Sequence, residues 1–312
     1  MYLGIDLGGT NIAVGLVDRD GNILHKDKVK TRADRHYSEI VKDMAELSKK
    51  VTEESGFSKS EIEWVGIGSP GSCDSERGVV VSASNLNFKN TPIREEFQKH
   101  WNVPVYLAND ADCAAYGEAM RGNAKGTSSS VTVTLGSGVG GGVIINGNIM
   151  TGVNFGSELG HMIINFDGEK CKCGNRGCWE VYASANALVR QTREAMKQNP
   201  ESLMWKEAGS LEGVSGRTAF SAAKKGDAAG QKTVDKYLEF VAIGISNIIE
   251  IFQPEKILIG GGVANEGESL LQPIRNFCKS SRSTIITTAA LGNDAGIIGA
   301  AFLGAQYAKK IK

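Results

Sequence analysis

His161, Cys171, Cys173 and Cys178 place one imidazole and three thiols within eighteen residues, spaced His-x9-Cys-x-Cys-x4-Cys, between Glu158 and Glu180. A divalent zinc ion takes such donors in a tetrahedron, and a Cys3His set fills all four positions, leaving none for a reacting group. The spacing therefore predicts a structural Zn2+ ion. Its task would be to fix the loop carrying Glu158, His161 and Glu180, because a ligating histidine is oriented through the hydrogen bond its other nitrogen makes. Three of the six cysteines fall within eight residues, which argues against free thiols clustered by chance. Cys73, Cys113 and Cys278 are dispersed, each in or beside an apolar stretch, and read as buried thiols rather than a disulfide framework.

Asn109, Asp110, Ala111 and Asp112 close an apolar strand and open a helical segment. A carboxylate there feels the positive end of the helix dipole, which favours the ionised form and readiness to accept a proton. The plain alternative is a helix cap, for which Asp and Asn are the common choices. Two acids and one amide exceed what one cap needs, so Asp112 is expected to cap and Asp110 to be free for chemistry. Glu158 and Glu180 also have plain explanations as solvated or capping charges. Beside a metal-fixed loop, however, Asn109, Glu158, His161 and Glu180 supply acceptors for the hydroxyls of a polyol. The chemistry implied is a sugar hydroxyl deprotonated by Asp110 while phosphate oxygens rest on glycine turns.

Those turns recur. Gly8-Gly9-Thr10 follows a strand at Tyr2 to Leu7, Gly136-Ser137-Gly138 follows one at Val131 to Leu135, and Gly260 to Gly262 follows one at Ile257 to Ile259. Backbone amides in concave turns bind anions, and glycine lets a phosphate come close. Each turn alone is equally a hairpin connection. Asp6, just before the first, is placed to hold Mg2+ through water. Neither of the first two turns is followed by Gly-Lys-Ser/Thr, so neither is a Walker A loop.

The elements that must position these residues alternate between strand and helix. At an offset of 128, Leu7-Gly8 falls on Leu135-Gly136 and Val17 on Ile145, a weak internal repeat that suggests a duplicated lobe. Ile40, Val41, Met44, Leu47 and Val51 form a helical stripe, and Trp64 to Ile67 and Val103 to Ala108 read as strands. Val234 to Phe252 reads as a long buried helix followed by Pro254, and Gly296 to Ala308 as a tightly packed last helix. Gln198 to Gly230 reads as helical excursions on the surface. The pattern predicts an α/β fold with mixed sheets.

The chain has 312 residues, more than one core usually serves, so two lobes are expected. Lys+Arg and Asp+Glu are equal at 35 each, which gives a nucleic-acid partner no electrostatic support. No apolar run reaches the roughly 18 residues that a membrane span needs, and Met1 leads at once into a strand rather than a basic leader. A cytoplasmic protein with no membrane or nucleic-acid partner is expected.

Asp6-Leu7-Gly8-Gly9-Thr10, Asn109-Asp110-Ala111-Asp112, Glu158-Leu159-Gly160-His161, the cysteine stretch through Cys178-x-Glu180, and Leu291-Gly292-Asn293-Asp294-Ala295-Gly296 together resemble the ROK family of bacterial sugar kinases and related repressors. The resemblance runs from the first strand to the last helix and is most specific in the cysteine stretch. It implies the two-lobed actin-like, hexokinase-like ATPase fold, with ribonuclease H-like duplicated lobes closing on ATP and sugar. The lobes would be 1–108, completed by a helix at about 297–312, and 109–296. Asp110 would be the general base on the sugar's 6-hydroxyl. Gly71, Asn109, Asp110, Glu158, His161 and Glu180 would bind the sugar, with His161 also ligating zinc. Asp6, Gly8, Gly9, Thr10, Asn11, Gly136, Ser137 and Gly138 would hold the ATP phosphates and Mg2+, and Gly261 with Gly262 would approach the adenosine. One departure is visible: Asn11 stands where many members carry lysine, which would weaken ATP binding without removing the backbone cradle.

The expected activity is ATP-dependent phosphorylation of glucose to glucose 6-phosphate by a homodimer or homotetramer. N-acetylglucosamine, N-acetylmannosamine, mannose and fructose are the alternative substrates, since selectivity depends on pocket shape around carbon 2. The short gap between His161 and Cys171 resembles the glucokinase branch. A sugar-responsive repressor is the alternative from another class; family repressors carry an additional N-terminal helix-turn-helix, whereas here the phosphate strand starts at Met1.

Overall fold

Tyr2–Leu7 (β1) is buried along almost its whole length, as a strand covered on both faces must be, and its one partly exposed residue is Asp6. The computed structural model describes residues 1–152, 156–278 and 283–307. β1 pairs antiparallel with Asn11–Val17 (β2), which pairs antiparallel with the charged edge strand Ile23–Lys30 (β3). The helix Tyr37–Glu54 (α1) buries Ile40, Val41, Met44, Leu47 and Val51 in one core cluster with Leu3, Ile5 and Val65. Trp64–Ser69 (β4) then pairs parallel to β1. Ser72–Asp74 (β5), Val79–Ala83 (β6) and Phe88–Thr91 (β7) form a small antiparallel sheet, followed by the helix Ile93–His100 (α2). Val105–Asn109 (β8) pairs parallel with β4 and completes the order β3-β2-β1-β4-β8; it leads directly into the helix Asp110–Met120 (α3).

The strands Ser129–Leu135 (β9), Val139–Ile145 (β10) and Asn148–Ile149 (β11) repeat this opening. β9 ends at Leu135 as β1 ends at Leu7, and β10 ends at Ile145 as β2 ends at Val17, so the offset of 128 read from sequence aligns strand ends. Gly140, Gly141 and Gly142 lie within β10 rather than in its turn. A Cβ on Gly142 would lie 2.6 Å from the Ala115 Cβ and 2.9 Å from the Ala111 oxygen, so close approach of α3 accounts for that glycine. Helices Glu180–Ala183 (α4), Ala185–Gln198 (α5), Met204–Ala208 (α6), Thr218–Lys224 (α7) and Ala228–Phe252 (α8) follow. α8 buries Val234, Leu238, Val241, Ile245, Ile248 and Ile249 and ends on Gln253 in the left-handed conformation, one residue before Pro254. Lys256–Gly260 (β12), the helix Glu268–Phe277 (α9) and Ile285–Thr288 (β13) complete a second sheet in the order β11-β10-β9-β12-β13. Both sheets thus follow one strand plan, the duplicated α/β fold expected from sequence.

The region Gln198 to Gly230 is not wholly superficial: Met204, Phe220 and Ala222 are fully or almost fully buried. Its helices α6 and α7 span five and seven residues, too few to show a period.

The last helix, Ala295–Tyr307 (α10), is buried on nearly every side, and Ala308 to Lys312 lie outside the described residues. It packs on β1, β4 and α3 through glycines. A Cβ on Gly299 would fall 1.7 Å from the Cys113 oxygen, and one on Gly117 2.2 Å from the Ala295 oxygen. Backbone meets backbone at that crossing. The chain divides into two compact units: residues 1–132, 142–157 and 290–312 in the first, 133–141 and 158–289 in the second. The contact of α3 with α10 places residues 109–132 in the first unit, where sequence assigned them to the second lobe.

Candidate functional site

The sequence-predicted residues fall into two groups, one in each unit, and are described unit by unit.

In the first unit, β8 delivers Asn109 in extended conformation, and its side-chain oxygen accepts from the Ala111 and Asp112 N–H groups at 2.8 and 3.3 Å. Asn109 is therefore the helix cap, correcting the sequence assignment of that role to Asp112. Asp112 is buried instead, at 1% exposure. Asn109 is the residue with extended backbone directly before the helix, so its side chain is the one that turns back on the first helical amides. Its Nδ2 donates to the Gly71 oxygen at 3.0 Å, so one amide hydrogen remains for a ligand, and Asn109 serves as a donor rather than an acceptor. Gly71 itself has φ of +85°, and a Cβ there would lie 2.0 Å from the Ser82 oxygen.

Asp110 occupies the first helical position, partly exposed, and one of its oxygens accepts from the Ala111 N–H at 2.9 Å. The positive end of α3 favours its carboxylate form. Asp6 faces the opposite influence: burial, and secondly the Asp110 carboxylate, raise it to about 6. Gly296 leaves room for it, since a Cβ there would lie 3.1 Å from the Asp6 carboxyl carbon. Cys73 and Cys113 are buried thiols, as read from sequence, and burial holds both above the ordinary thiol range.

The first glycine turn is closed by Gly8 N–H donating to the Asn11 oxygen at 2.9 Å, and Thr31 donates to the Thr10 and Gly8 oxygens at 3.0 and 2.6 Å. Asp6, Gly8, Gly9, Thr10 and Asn11 line a cavity of about 640 Å3 together with Lys26, Lys28, Asn293 and Asp294. Lys26 is held by Asp294 at 2.6 and 2.8 Å. Lys28, opposite Ala13 in the β2–β3 register, has no carboxylate partner among the described residues. Sequence reading missed both lysines. β3 carries charge at four of its eight positions, on both faces, so alternation gave no signal.

In the second unit the four metal-ligand candidates converge. Their donor atoms all lie within 4.8 Å of one another, with Cys171 Sγ 3.6 Å from His161 Nδ1 and Cys173 Sγ 3.5 Å from Cys178 Sγ. A zinc tetrahedron with Zn–S near ~2.3 Å and Zn–N near ~2.05 Å has edges of about 3.8 Å between sulfurs and about 3.6 Å between nitrogen and sulfur. Donor set and spacing fit the ion. A tight turn brings Cys171 and Cys173 together through Cys171 N–H to Asn175 O at 2.8 Å, and Cys178 returns opposite Ile163. Burial and the neighbouring thiols push Cys178 up to about 12, the self-repulsion that a dication among the sulfurs relieves. His161 Nε2 points the other way, 3.9 Å from Glu158, so metal ligation through Nδ1 leaves Nε2 for another partner.

Cys178 and Trp179 are fully buried, the indole N–H donating to the Phe240 oxygen at 2.8 Å, and the next residue, Glu180, opens α4. Its Oε2 accepts from the Val139 N–H at 3.0 Å, at the end of the second glycine turn. The turn is also tied down by Ala185 N–H to Gly136 O and Asn186 Nδ2 to Ser137 O, both at 2.8 Å. At the third turn Gly261 has φ of +82°, and a Cβ would meet the Leu135 oxygen at 2.5 Å; Gly262 has open space.

Comparison with known proteins gives the same outline. The sequence pattern of the ROK family matches residues 2–307. A glucokinase from Thermotoga maritima is 38% identical over 307 residues, covering 96% of this chain and 95% of its own. A ROK family glucokinase from Streptomyces griseus, solved with glucose and AMPPNP, is 34% identical with a TM-score of 0.80, covering 98% of this chain and 99% of its own. A ROK hexokinase from Thermus thermophilus is 31% identical with a TM-score of 0.84, covering 99% of each.

Proposed function

Because the chain belongs to the ROK family, we propose that it is an ATP-dependent kinase that phosphorylates the 6-hydroxyl of glucose. The similarity along 98% of the chain to a glucokinase solved with glucose and a nucleotide analogue carries this reading. Phosphoryl transfer asks for a base on the nucleophile, neutralisation of phosphate charge and alignment of the two reactants. Asp110 takes the hydroxyl proton as the sugar oxygen bonds to the terminal phosphorus and the bond from that phosphorus to the departing ADP oxygen breaks; the helix terminus favours the ionised carboxylate beforehand. Asn109 donates its remaining amide hydrogen to a sugar hydroxyl. Glu158, His161 through Nε2 and Glu180 receive the others. The glycine turns at 8–11 and 136–138 offer amides to the phosphates, and Asp6 would hold a Mg2+ ion, which would neutralise phosphate charge. A bound Mg2+ opposes the burial and the Asp110 charge that raise Asp6.

His161, Cys171, Cys173 and Cys178 hold Zn2+, which supplies no reacting position and fixes the loop that orients His161 and Glu180. Three free thiols in this set suit the reducing cytoplasm. No described helix is long and apolar enough to cross a membrane. A homodimer is the assembly we expect, checked by sedimentation.

A coupled assay with ATP and a panel of glucose, mannose, fructose and the two 2-acetamido hexoses tests the reading. Glucose should give the highest kcat/KM. A preference for an acetamido sugar would move the protein to another member activity, and no turnover with any hexose would remove the kinase reading.

A further inference from the structure

Glu180 and the second glycine turn are one hydrogen-bonded unit. The Val139 N–H donates to Glu180 Oε2 at 3.0 Å, and a Cβ on Gly138 would sit 2.2 Å from that same oxygen. A side chain at 138 would therefore have to displace the Glu180 carboxylate, whether or not a phosphate approaches. Gly136 N–H donates to Gly138 O at 3.0 Å, and the Gly136 and Ser137 oxygens are taken by Ala185 and Asn186. Of the four amides from 136 to 139, only those of Ser137 and Gly138 have no acceptor among the described residues. They alone remain to meet an anion, and their orientation is set by the clamp that begins at Glu180. The second oxygen of Glu180 has no hydrogen bond among the described residues and is the one left for a sugar hydroxyl.

We propose that Glu180 is a positioning residue that couples the two substrates: a sugar hydroxyl on its second oxygen fixes the carboxylate against Val139, which fixes the Ser137 and Gly138 amides for the nucleotide phosphates. This rests on the kinase reading above. Linkage makes the effect reciprocal, so glucose tightens nucleotide binding and nucleotide tightens glucose binding by one factor. The segment is stiff enough to transmit it. Trp179 is buried against Gly244 of α8, and the Ser184 hydroxyl caps α5 by accepting from the Ala187 N–H at 3.1 Å.

The test is calorimetric titration of a non-hydrolysable ATP analogue with and without saturating glucose, on wild type, Glu180→Gln and Gly138→Ala, with thermal melts to establish folding. Wild type should bind the analogue about fivefold or more tightly with glucose present. In Glu180→Gln that factor should fall towards one. Gly138→Ala, a change in the phosphate turn, should weaken glucose binding about tenfold with no nucleotide present, by displacing the carboxylate. A role confined to structure would lower both affinities and leave the factor unchanged. If Glu180→Gln does not fold, Gly138→Ala decides alone. A wild type that phosphorylates glucose but shows a factor of one overturns the coupling only, as does a Gly138→Ala protein that binds glucose normally. A wild type that neither binds nor phosphorylates a hexose overturns the kinase reading together with the coupling.

Discussion

Asp6 and Asp110 share the first unit, and burial together with the Asp110 carboxylate raises Asp6 to about 6. Folded Asp6 therefore keeps its proton to about pH 6, whereas the unfolded chain releases it near the ordinary 3.8. Between those values the folded state binds more protons, so stability falls as pH rises through the window, by about 3 kcal/mol in total. Asp6→Asn should remove this slope and be the more stable protein at pH 7 in the absence of metal and nucleotide. Denaturant unfolding of both proteins at pH 4.5 and 7 checks it; parallel behaviour of the two would mean that Asp6 is not strained.

The same carboxylate sets a kinetic expectation. If ionised Asp6 holds Mg2+, kcat/KM for ATP should decline as pH falls through about 6, because that ratio reports groups of the free enzyme. Asp6→Asn should be slow and should lack that acid limb. A mutant as fast as wild type would take Asp6 out of the metal site.

Metal content follows from the donor set. Purified protein should carry about one zinc ion per chain, and Cys173→Ser or Cys178→Ser should lose it and melt at lower temperature. Stripping the metal should also weaken glucose binding, since His161 is itself a ligand and Glu180 lies two residues from Cys178. Zinc-free protein with unaltered glucose affinity would separate the loop from the sugar.

Glu118 gives a stability prediction unconnected with catalysis. It is fully buried, and its two oxygens accept from the Ala290, Leu291 and Asn123 N–H groups at 2.7 to 2.9 Å. Glu118→Gln turns an NH2 donor towards these donors and should cost about 1–3 kcal/mol in urea unfolding. An unchanged midpoint would show that the loop before α10 is held otherwise.

How much of this was readable beforehand depended on whether partners are close in sequence. Cys171 and Cys173 share one tight turn and Cys178 follows five residues later opposite Ile163, so their spacing alone exposed the cluster. The duplicated sheets were visible because Leu7 and Leu135 end equivalent strands, a periodic signal. Capping was misassigned because Asn109 and Asp112 both suit a helix start, and only backbone geometry chooses between them. Glu180 with Val139, and Glu118 with Ala290, join residues 41 and 172 positions apart, and neither composition nor period records such pairs. Gly138 was read as a phosphate contact, and the Glu180 carboxylate that a Cβ there would also meet is 42 positions away and left no local signal.

The most direct measurement compares wild type with Asp110→Asn for glucose 6-phosphate formation from ATP, alongside glucose affinity by calorimetry. Asparagine keeps the shape and cannot take the proton. The account predicts a kcat lower by at least about a hundredfold with glucose affinity within a few fold of wild type. A mutant that keeps more than about a tenth of the wild-type rate would contradict Asp110 as the base.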